Sequence, residues 1–399
     1  MPDRRRTPHR PPINCKINYI TSLRQVPKDS QYLPALTGLR FFLGLWVILH
    51  HLTGKGDLLD QWNQTLPAAM QSILRGGYLA VQSFFVLSGF VLARTYLNTN
   101  WNRRSLTRFA IARFARIYPA YLLSLAIVAW FAFQFLLKPG RTIADKTFVL
   151  TDYAFVLQGW TGSLNVGWNT PAWSLSCEFF FYLCFPALFI WLGKGGMARI
   201  YAVFAASLVV PILLARVGVP QMLKPIHHLA DFVAGIAAAR FYGALVQSRC
   251  SVKRPGFLLT VFALAGGATI ITHPHWLDGT VMALSTVLRP LNVALLIGLA
   301  RGGGFIARML SMNVAGYLGK VSYSMYILHI PLLWWYSRYT TFRWGTAAPA
   351  WTGLLFVAVV IGVSIAAFEY VEDPANRWIR EWTAARLNPA RPAVLRAAA

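Results

Sequence analysis

Acidic side chains are scarce in this sequence: 13 Asp and Glu stand against 38 Lys and Arg, and charged residues make up only 13% of its 399 positions. Soluble domains carry roughly 25%, so a water-facing globular surface of ordinary composition is excluded. Cysteine is scarcer still. Cys15, Cys177, Cys184 and Cys250 are scattered without paired spacing, which points away from a disulfide framework and from a thiolate zinc site, and no metal centre is expected. Also missing is any apolar core before Leu33. The first thirty residues are polar and basic, with Arg4, Arg5, Arg6 and Arg10 among prolines, which reads as a cytoplasmic tail rather than a signal peptide.

What the chain does have is apolar length. Hydrophobic residues make up 56% of it, mean hydropathy is +0.48, and runs of about 20 apolar residues, each able to cross a bilayer core, recur along it. They fall near 34–53, 76–97, 117–137, 172–193, 199–217, 225–244, 257–273, 281–300, 316–336 and 350–370. The expectation is an all-α, polytopic integral membrane protein of about ten transmembrane helices. A basic tail (1–32) precedes the transmembrane domain (33–376), and a second basic tail (377–399) follows it.

The net charge of +25 follows largely from the shortage of acids. The bases sit between spans, as topology signals do, and both termini are expected in the cytoplasm. Arg103, Arg104, Arg108, Arg113 and Arg116 then mark a cytoplasmic loop near 98–116. Lys194 with Arg199, Arg249 with Lys253 and Arg254, and Arg301 with Arg308 mark others. Arg377, Arg380, Arg386, Arg391 and Arg396 mark the C-terminal tail, while Asp57, Asp60, Asp145, Asp152 and Asp278 fall on the other side. Such bases meet lipid headgroups, and no nucleic-acid partner is expected. One connection, residues 138–171, is long and carries Trp160, Asn165, Trp168 and Asn169, in keeping with a re-entrant or interfacial lid.

Charged groups inside an apolar slab cost a few kcal/mol or more, so each is a functional candidate. Arg40 and His51 are eleven residues apart on the first span. At about 100° per residue they return to within roughly 20° of one another, about 16 Å apart along the axis, while His50 points about 80° away. Snorkelling of Arg40 to the inner surface, with the histidines at the outer headgroups, accounts for the same residues. Arg113 and Arg116 share a face three residues apart and offer donors to phosphate oxygens, or serve only topology. Glu178, opening the fourth span, is expected near its outer end at the depth of His51, where a carboxylate orients an imidazole or pairs structurally. Ser88-Gly89 allow close approach of a helix or a ligand, and Ser322, Tyr323, Ser324, Tyr326 and His329 make the ninth span polar. His227, His228 and Asp231 form a further polar cluster.

Four phrases, LTGLRFFLGLWVILHH, FFVLSGFV, RFARIYPAYLL and WSLSCEFFFYLCFP, occur in order with a fifth, YLGKVSYSMYILHIPLL. Together they resemble the membrane-bound acyltransferase 3 family, whose members include bacterial O-acetyltransferases of surface polysaccharides. The resemblance runs from about Leu33 to Asn376. The family's basic residue and essential histidine, ten residues between, fall on Arg40 and His51, and its two arginines on Arg113 and Arg116. Its WSLS-x-E phrase falls on Trp173 to Glu178. Cys177 stands where valine is common, and Thr37 where many members have aspartate, so no carboxylate role is carried over there.

The resemblance implies a multi-pass enzyme of the bacterial plasma (inner) membrane. It would move an acyl group, usually from acetyl-CoA, to a hydroxyl of a glycan or lipid-linked glycan. In that reading His51 is the general base, with Glu178 and Arg40 beside it. Arg40, Arg113, Arg116, Ser88, Gly89 and Tyr323 are the candidate donor-binding residues. Acylation of a small secondary metabolite or antibiotic is the alternative within the class, and a proton-coupled transporter or flippase the alternative outside it.

Overall fold

The computed structural model of the chain describes residues 32–162, 168–220, 223–247, 253–277, 281–302, 304–345 and 349–387. Arg4, Arg5, Arg6, Arg10, Cys15, Asn165, Arg249, Cys250, Asp278, Arg391 and Arg396 lie outside the described residues. Every regular element among those described is helical. The first half comprises α1 (Pro34–Leu52), α2 (Asp60–Gln64), α3 (Ala68–Arg75), α4 (Ala80–Thr95), α5 (Arg103–Leu136), α6 (Ile143–Ala154), α7 (Gln158–Thr161) and α8 (Trp173–Gly193). The second comprises α9 (Met197–Arg216), α10 (Lys224–Gln247), α11 (Lys253–Thr272), α12 (Val281–Ala300), α13 (Gly304–Leu310), α14 (Asn313–Trp344), α15 (Ala350–Ala367) and α16 (Asp373–Leu387).

A helix covers each of the ten stretches expected from hydropathy. Among the described residues, eight helical segments are long and apolar enough to cross a membrane, so ten is an overcount by that measure. The apolar part of α11, Gly256–Thr272, is shorter, and α14, with 32 residues, carries its polar stripe through the middle. Two connections also differ from expectation. The basic stretch near 98–116 is not a loop from Arg103 onward, because α5 runs 34 residues from there and holds Arg113 and Arg116 on its surface. The C-terminal stretch continues as helix α16 to Leu387, joined to α15 through a π-helical turn at Phe368–Glu372.

Helices in lipid gain nothing from hiding apolar surface from one another, so close backbone approach at small residues decides which of them pack. Two of the glycine contacts join helices that carry candidate residues. A Cβ on Gly89 would run into the carbonyl oxygen of Phe232, and one on Gly235 into that of Val86, so α4 and α10 cross in direct backbone contact. On α1 and α14, a Cβ on Gly319 would meet the Thr37 carbonyl oxygen in the same way. Gly89 therefore serves the helix crossing rather than a ligand.

The connection from 138 to 171 holds α6, which Thr142 and Asp145 open with a reciprocal capping box, and the single turn α7. It docks on α5, where the Tyr121 hydroxyl donates to the Tyr153 carbonyl (2.6 Å) and Trp168 Nε1 to the Leu125 carbonyl (3.2 Å). It then enters the fold. Pro331 in α14 has no N–H to give to the Ile327 carbonyl. That carbonyl accepts instead from the carboxamide of Asn169 at 3.0 Å, and the same carboxamide donates to Ser124 Oγ at 2.7 Å. Asn169, Pro171 and Ala172 are buried, so α8 starts inside the bundle. Glu178, in the second turn of α8, therefore follows a buried segment rather than a free helix end.

At the π turn, Glu372, with a fully buried side chain, forms an ion pair with Arg116 and accepts a hydrogen bond of 2.6 Å from Ser324 Oγ.

Substituting Val for Gly89 should overpack the α4–α10 crossing and destabilise the protein by about 1–3 kcal/mol or more. Gly243→Ala, where nothing lies within 4 Å of the added Cβ, should be neutral or stabilising by up to about 1 kcal/mol. Thermal melting of both variants in detergent, followed by fluorescence-detected size exclusion, checks the contrast. Glu372→Ala should destabilise by about 3–5 kcal/mol, because it strands the Arg116 charge. The same melting experiment reads this, and a midpoint equal to wild type would show that the pair does not hold α5 to the π turn.

Candidate functional site

One cavity of about 280 Å³ gathers most of the residues expected to act. Three helices supply a stripe of lining at one-turn spacing, as the 3.6-residue period requires. These are Ser174, Glu178 and Tyr182 on α8, Ser322 and Tyr326 on α14, and Asn376 and Arg380 on α16. Arg40 enters from α1, Ser88 from α4, Arg113 and Arg116 from α5, and Tyr323 from α14. Of the candidate donor-binding residues, only Gly89 is absent from the lining.

The charges in this cavity do not balance. Arg116 is answered by Glu372 and lies over the ring of Tyr323, 5.6 Å from its centroid, and the Tyr323 hydroxyl is itself fixed on the Ile117 carbonyl at 2.8 Å. Arg113 rests against the rings of Tyr182 (5.8 Å) and Phe109 (6.0 Å), and its buried Nε has no hydrogen-bond partner among the described residues. Among those residues neither Arg40, Arg113 nor Arg380 forms an ion pair, and Glu178 is the lone carboxylate in the lining. A partly open site with surplus guanidinium charge and an unused donor is suited to an anion, and the planar fork of arginine matches the oxygens of a carboxylate or phosphate.

The histidine lies beyond the cavity, not in its wall. His51 packs against His329, with ring centroids 5.0 Å apart, and the Tyr326 ring, one turn before His329 on α14, lines the cavity. Each ring is oriented by a backbone carbonyl. Nδ1 of His51 lies 3.0 Å from the Val47 oxygen, Nδ1 of His329 2.6 Å from the Tyr326 oxygen, and Nδ1 of His50 2.6 Å from the Arg75 oxygen. A carbonyl only accepts, so in the neutral rings Nδ1 carries the hydrogen and Nε2 keeps the lone pair needed by a base. His50 turns away toward Arg75 and Tyr78, as the helical arithmetic expects. The same arithmetic puts Arg40 and His51 on one face, but they serve different compartments, Arg40 inside the cavity and His51 at the histidine cluster. Glu178, within the cavity, is not a partner of the His51 ring.

Several lining residues carried no signal in the sequence. Tyr182 follows Glu178 by one turn and is visible only once the face of α8 is known. Arg380 reads as part of the basic tail, and nothing in the sequence singles out Asn376, or Glu372 just outside the lining. The cluster at His228 and Asp231 proves to be a structural network. Asp231 pairs with buried Arg289 (2.6 Å) and with His228 (3.0 Å), and accepts from Gln82 (3.0 Å).

A family model described as an acyltransferase domain, that of acyltransferase 3, matches residues 33–369. The chain is 30% identical over 383 residues to acyltransferase MdmB of Streptomyces mycarofaciens, a match covering 86% of this chain and 92% of that protein. It is 22% identical to O-acetyltransferase OatA of Staphylococcus aureus, and 23% identical to peptidoglycan O-acetyltransferase OatA of Listeria monocytogenes. Both matches cover 87% of this chain but only 58% and 56% of those longer proteins. No solved structure matches this chain. A bundle of membrane-crossing helices, an arginine-rich cavity and a family match across nearly all of the spans lead to one assignment: the chain belongs to the acyltransferase 3 family and is a membrane acyltransferase.

Proposed function

We propose that this enzyme transfers an acyl group, acetyl in the simplest case, from coenzyme A to a hydroxyl of a surface or exported glycan. The observation that carries the donor half is the surplus of unpaired guanidinium groups in the cavity, which suits the phosphates of a nucleotide-linked thioester. Both termini then face the cytoplasm, so that the arginine-lined mouth opens where the donor is made. The acceptor half rests on the two OatA relatives, whose names specify O-acetyl transfer and, for the Listeria protein, peptidoglycan. The enzyme sits as a multi-pass protein in the bacterial inner membrane.

In this reading the thioester reaches past Tyr326 to the histidine cluster. His51 Nε2 takes the proton of the acceptor hydroxyl as its oxygen attacks the thioester carbonyl. The tetrahedral intermediate collapses with loss of the C–S bond, and the departing thiolate recovers a proton from the imidazolium. Arg40 and Glu178 hold the donor's chain inside the cavity, and the Val47 carbonyl keeps His51 in the tautomer that can act as a base. Arg113, Arg116, Ser88 and Tyr323 bind the donor.

Base-labile acyl groups should be measured on the surface polysaccharide of cells lacking this protein, complemented with wild type, His50→Ala or His51→Ala at equal expression. Wild type and His50→Ala should restore them, and His51→Ala should lower transfer by about 10²–10⁴-fold, the usual contribution of a general base. Full restoration by His51→Ala would remove the base from that residue. If wild type leaves the glycan unchanged and acylates a small secreted molecule instead, the acceptor class is wrong and the acyl-transfer chemistry stands.

A further inference from the structure

The last described helix falls outside the family match, which ends at residue 369, yet two of its side chains line the cavity. Helical periodicity gives α16 two faces. Asn376, Arg380 and Thr383 fall at intervals of four and three residues, while Trp378 and Trp382 lie about 200° and about 240° around the helix from Asn376. The structure uses both. Asn376 and Arg380 reach the cavity alongside Arg113 and Arg116, and Trp378 and Trp382 stay 66% and 47% exposed. Tryptophans on an outward face belong at the headgroup level of a bilayer. Such a belt would hold α16 at the membrane surface, where a polyanion dissolved in water meets the cavity without entering hydrocarbon.

The three arginines of α16 are not equivalent. Arg377 pairs with Asp373 on its own helix at 3.1 Å, and Arg386 covers the Trp382 ring at 4.0 Å. Arg380 has no ion pair or ring partner among the described residues, and it stands exposed at the cavity mouth. Beside it, the buried carboxamide oxygen of Asn376 has no hydrogen-bond partner among them. A half-turn of that carboxamide exchanges oxygen for NH2 and presents two donors in its place. An unpaired guanidinium, a rotatable amide and the unpaired Arg113 thus surround one cavity, in whose lining Glu178 is the lone carboxylate, while Glu372 just outside it is already committed to Arg116.

We propose that Arg380 and Asn376 bind the phosphates of the acyl donor, so that α16 is part of the donor site. The functional unit then extends past the boundary at Asn376 expected from the sequence. This rests on the reading that the donor is a coenzyme A thioester. Phosphate is also offered by lipid headgroups, and the two sources are separable.

The full chain, in nanodiscs of zwitterionic lipid, is titrated with coenzyme A by calorimetry. Arg380→Ala should weaken binding roughly tenfold or more, the usual effect of removing a hydrogen bond to a charged group. Arg380→Lys should recover part of the affinity as a point charge without the fork, Arg380→Gln should not, and Asn376→Ala should weaken binding by a smaller factor. Arg377→Ala on the same helix should bind as wild type does, and none of these variants should change the melting temperature without ligand. If wild type binds and Arg380→Ala binds equally well, α16 is not in the donor site, although the donor assignment survives. The inference is also overturned if Arg380→Ala keeps full affinity for coenzyme A but loses retention on vesicles containing phosphatidylglycerol, since Arg380 then serves lipid. If wild type binds no coenzyme A, the donor reading itself fails and the inference falls with it.

Discussion

Positive charge held in a place that cannot solvate it is the constraint on which this structure depends. Four arginines line one cavity, with Glu178 the lone carboxylate in the lining and Glu372 committed to Arg116 at the π turn. In an apolar slab such groups are tolerated only against one another, against aromatic faces or in a water-filled space. The packing around the cavity meets those terms. Arg113 lies against the rings of Tyr182 and Phe109, Arg116 against that of Tyr323, and the remaining guanidinium capacity faces the opening. A site that leaves donors unused in its resting state is preorganised for a ligand of opposite charge, and the energy of arranging them is spent in folding rather than on binding.

Keeping these residues in register requires rigid neighbours. The glycine crossings of α4 with α10 and of α1 with α14 bring backbones into contact, so the helices carrying Ser88, Arg40 and Tyr323 have little freedom to slide. The buried segment ahead of α8 is tied in by a different device. Proline at 331 strips the Ile327 carbonyl of its helical partner, and Asn169 takes its place. A helix defect on α14 thereby becomes the anchor for the start of α8, and with it for Glu178. The polar stripe of α14 then continues from the cavity at Tyr326 to the histidine cluster at His329, joining the charged compartment to the one that holds His51.

Much of this was legible from residues alone. The helical class, the ten helical stretches and the pairing of Arg113 with Arg116 follow from hydropathy and the 3.6-residue period, both local properties of the chain. Six of the eight candidate residues (Arg40, Ser88, Arg113, Arg116, Glu178 and Tyr323) converge on one cavity, because charged and polar groups in apolar spans have few places to go. Gly89 was ambiguous for a physical reason. A small residue admits a helix or a ligand equally well, and only the position of Phe232 decides between them.

The sequence by itself determined that this is a membrane-embedded helical protein with a few charged and histidine side chains inside its spans, since composition and periodicity need no partner to be read. Depth and company were decided only in three dimensions. Glu178 joins the cavity because the buried segment ahead of α8 is tied to α14 through Asn169. His51 is separated from Arg40 because their shared helix passes two compartments. Asn376 and Arg380 join the cavity because α16, continuing beyond the π turn, packs against α5. Each of these depends on contacts between residues from tens to more than two hundred positions apart, which no pattern along the chain encodes.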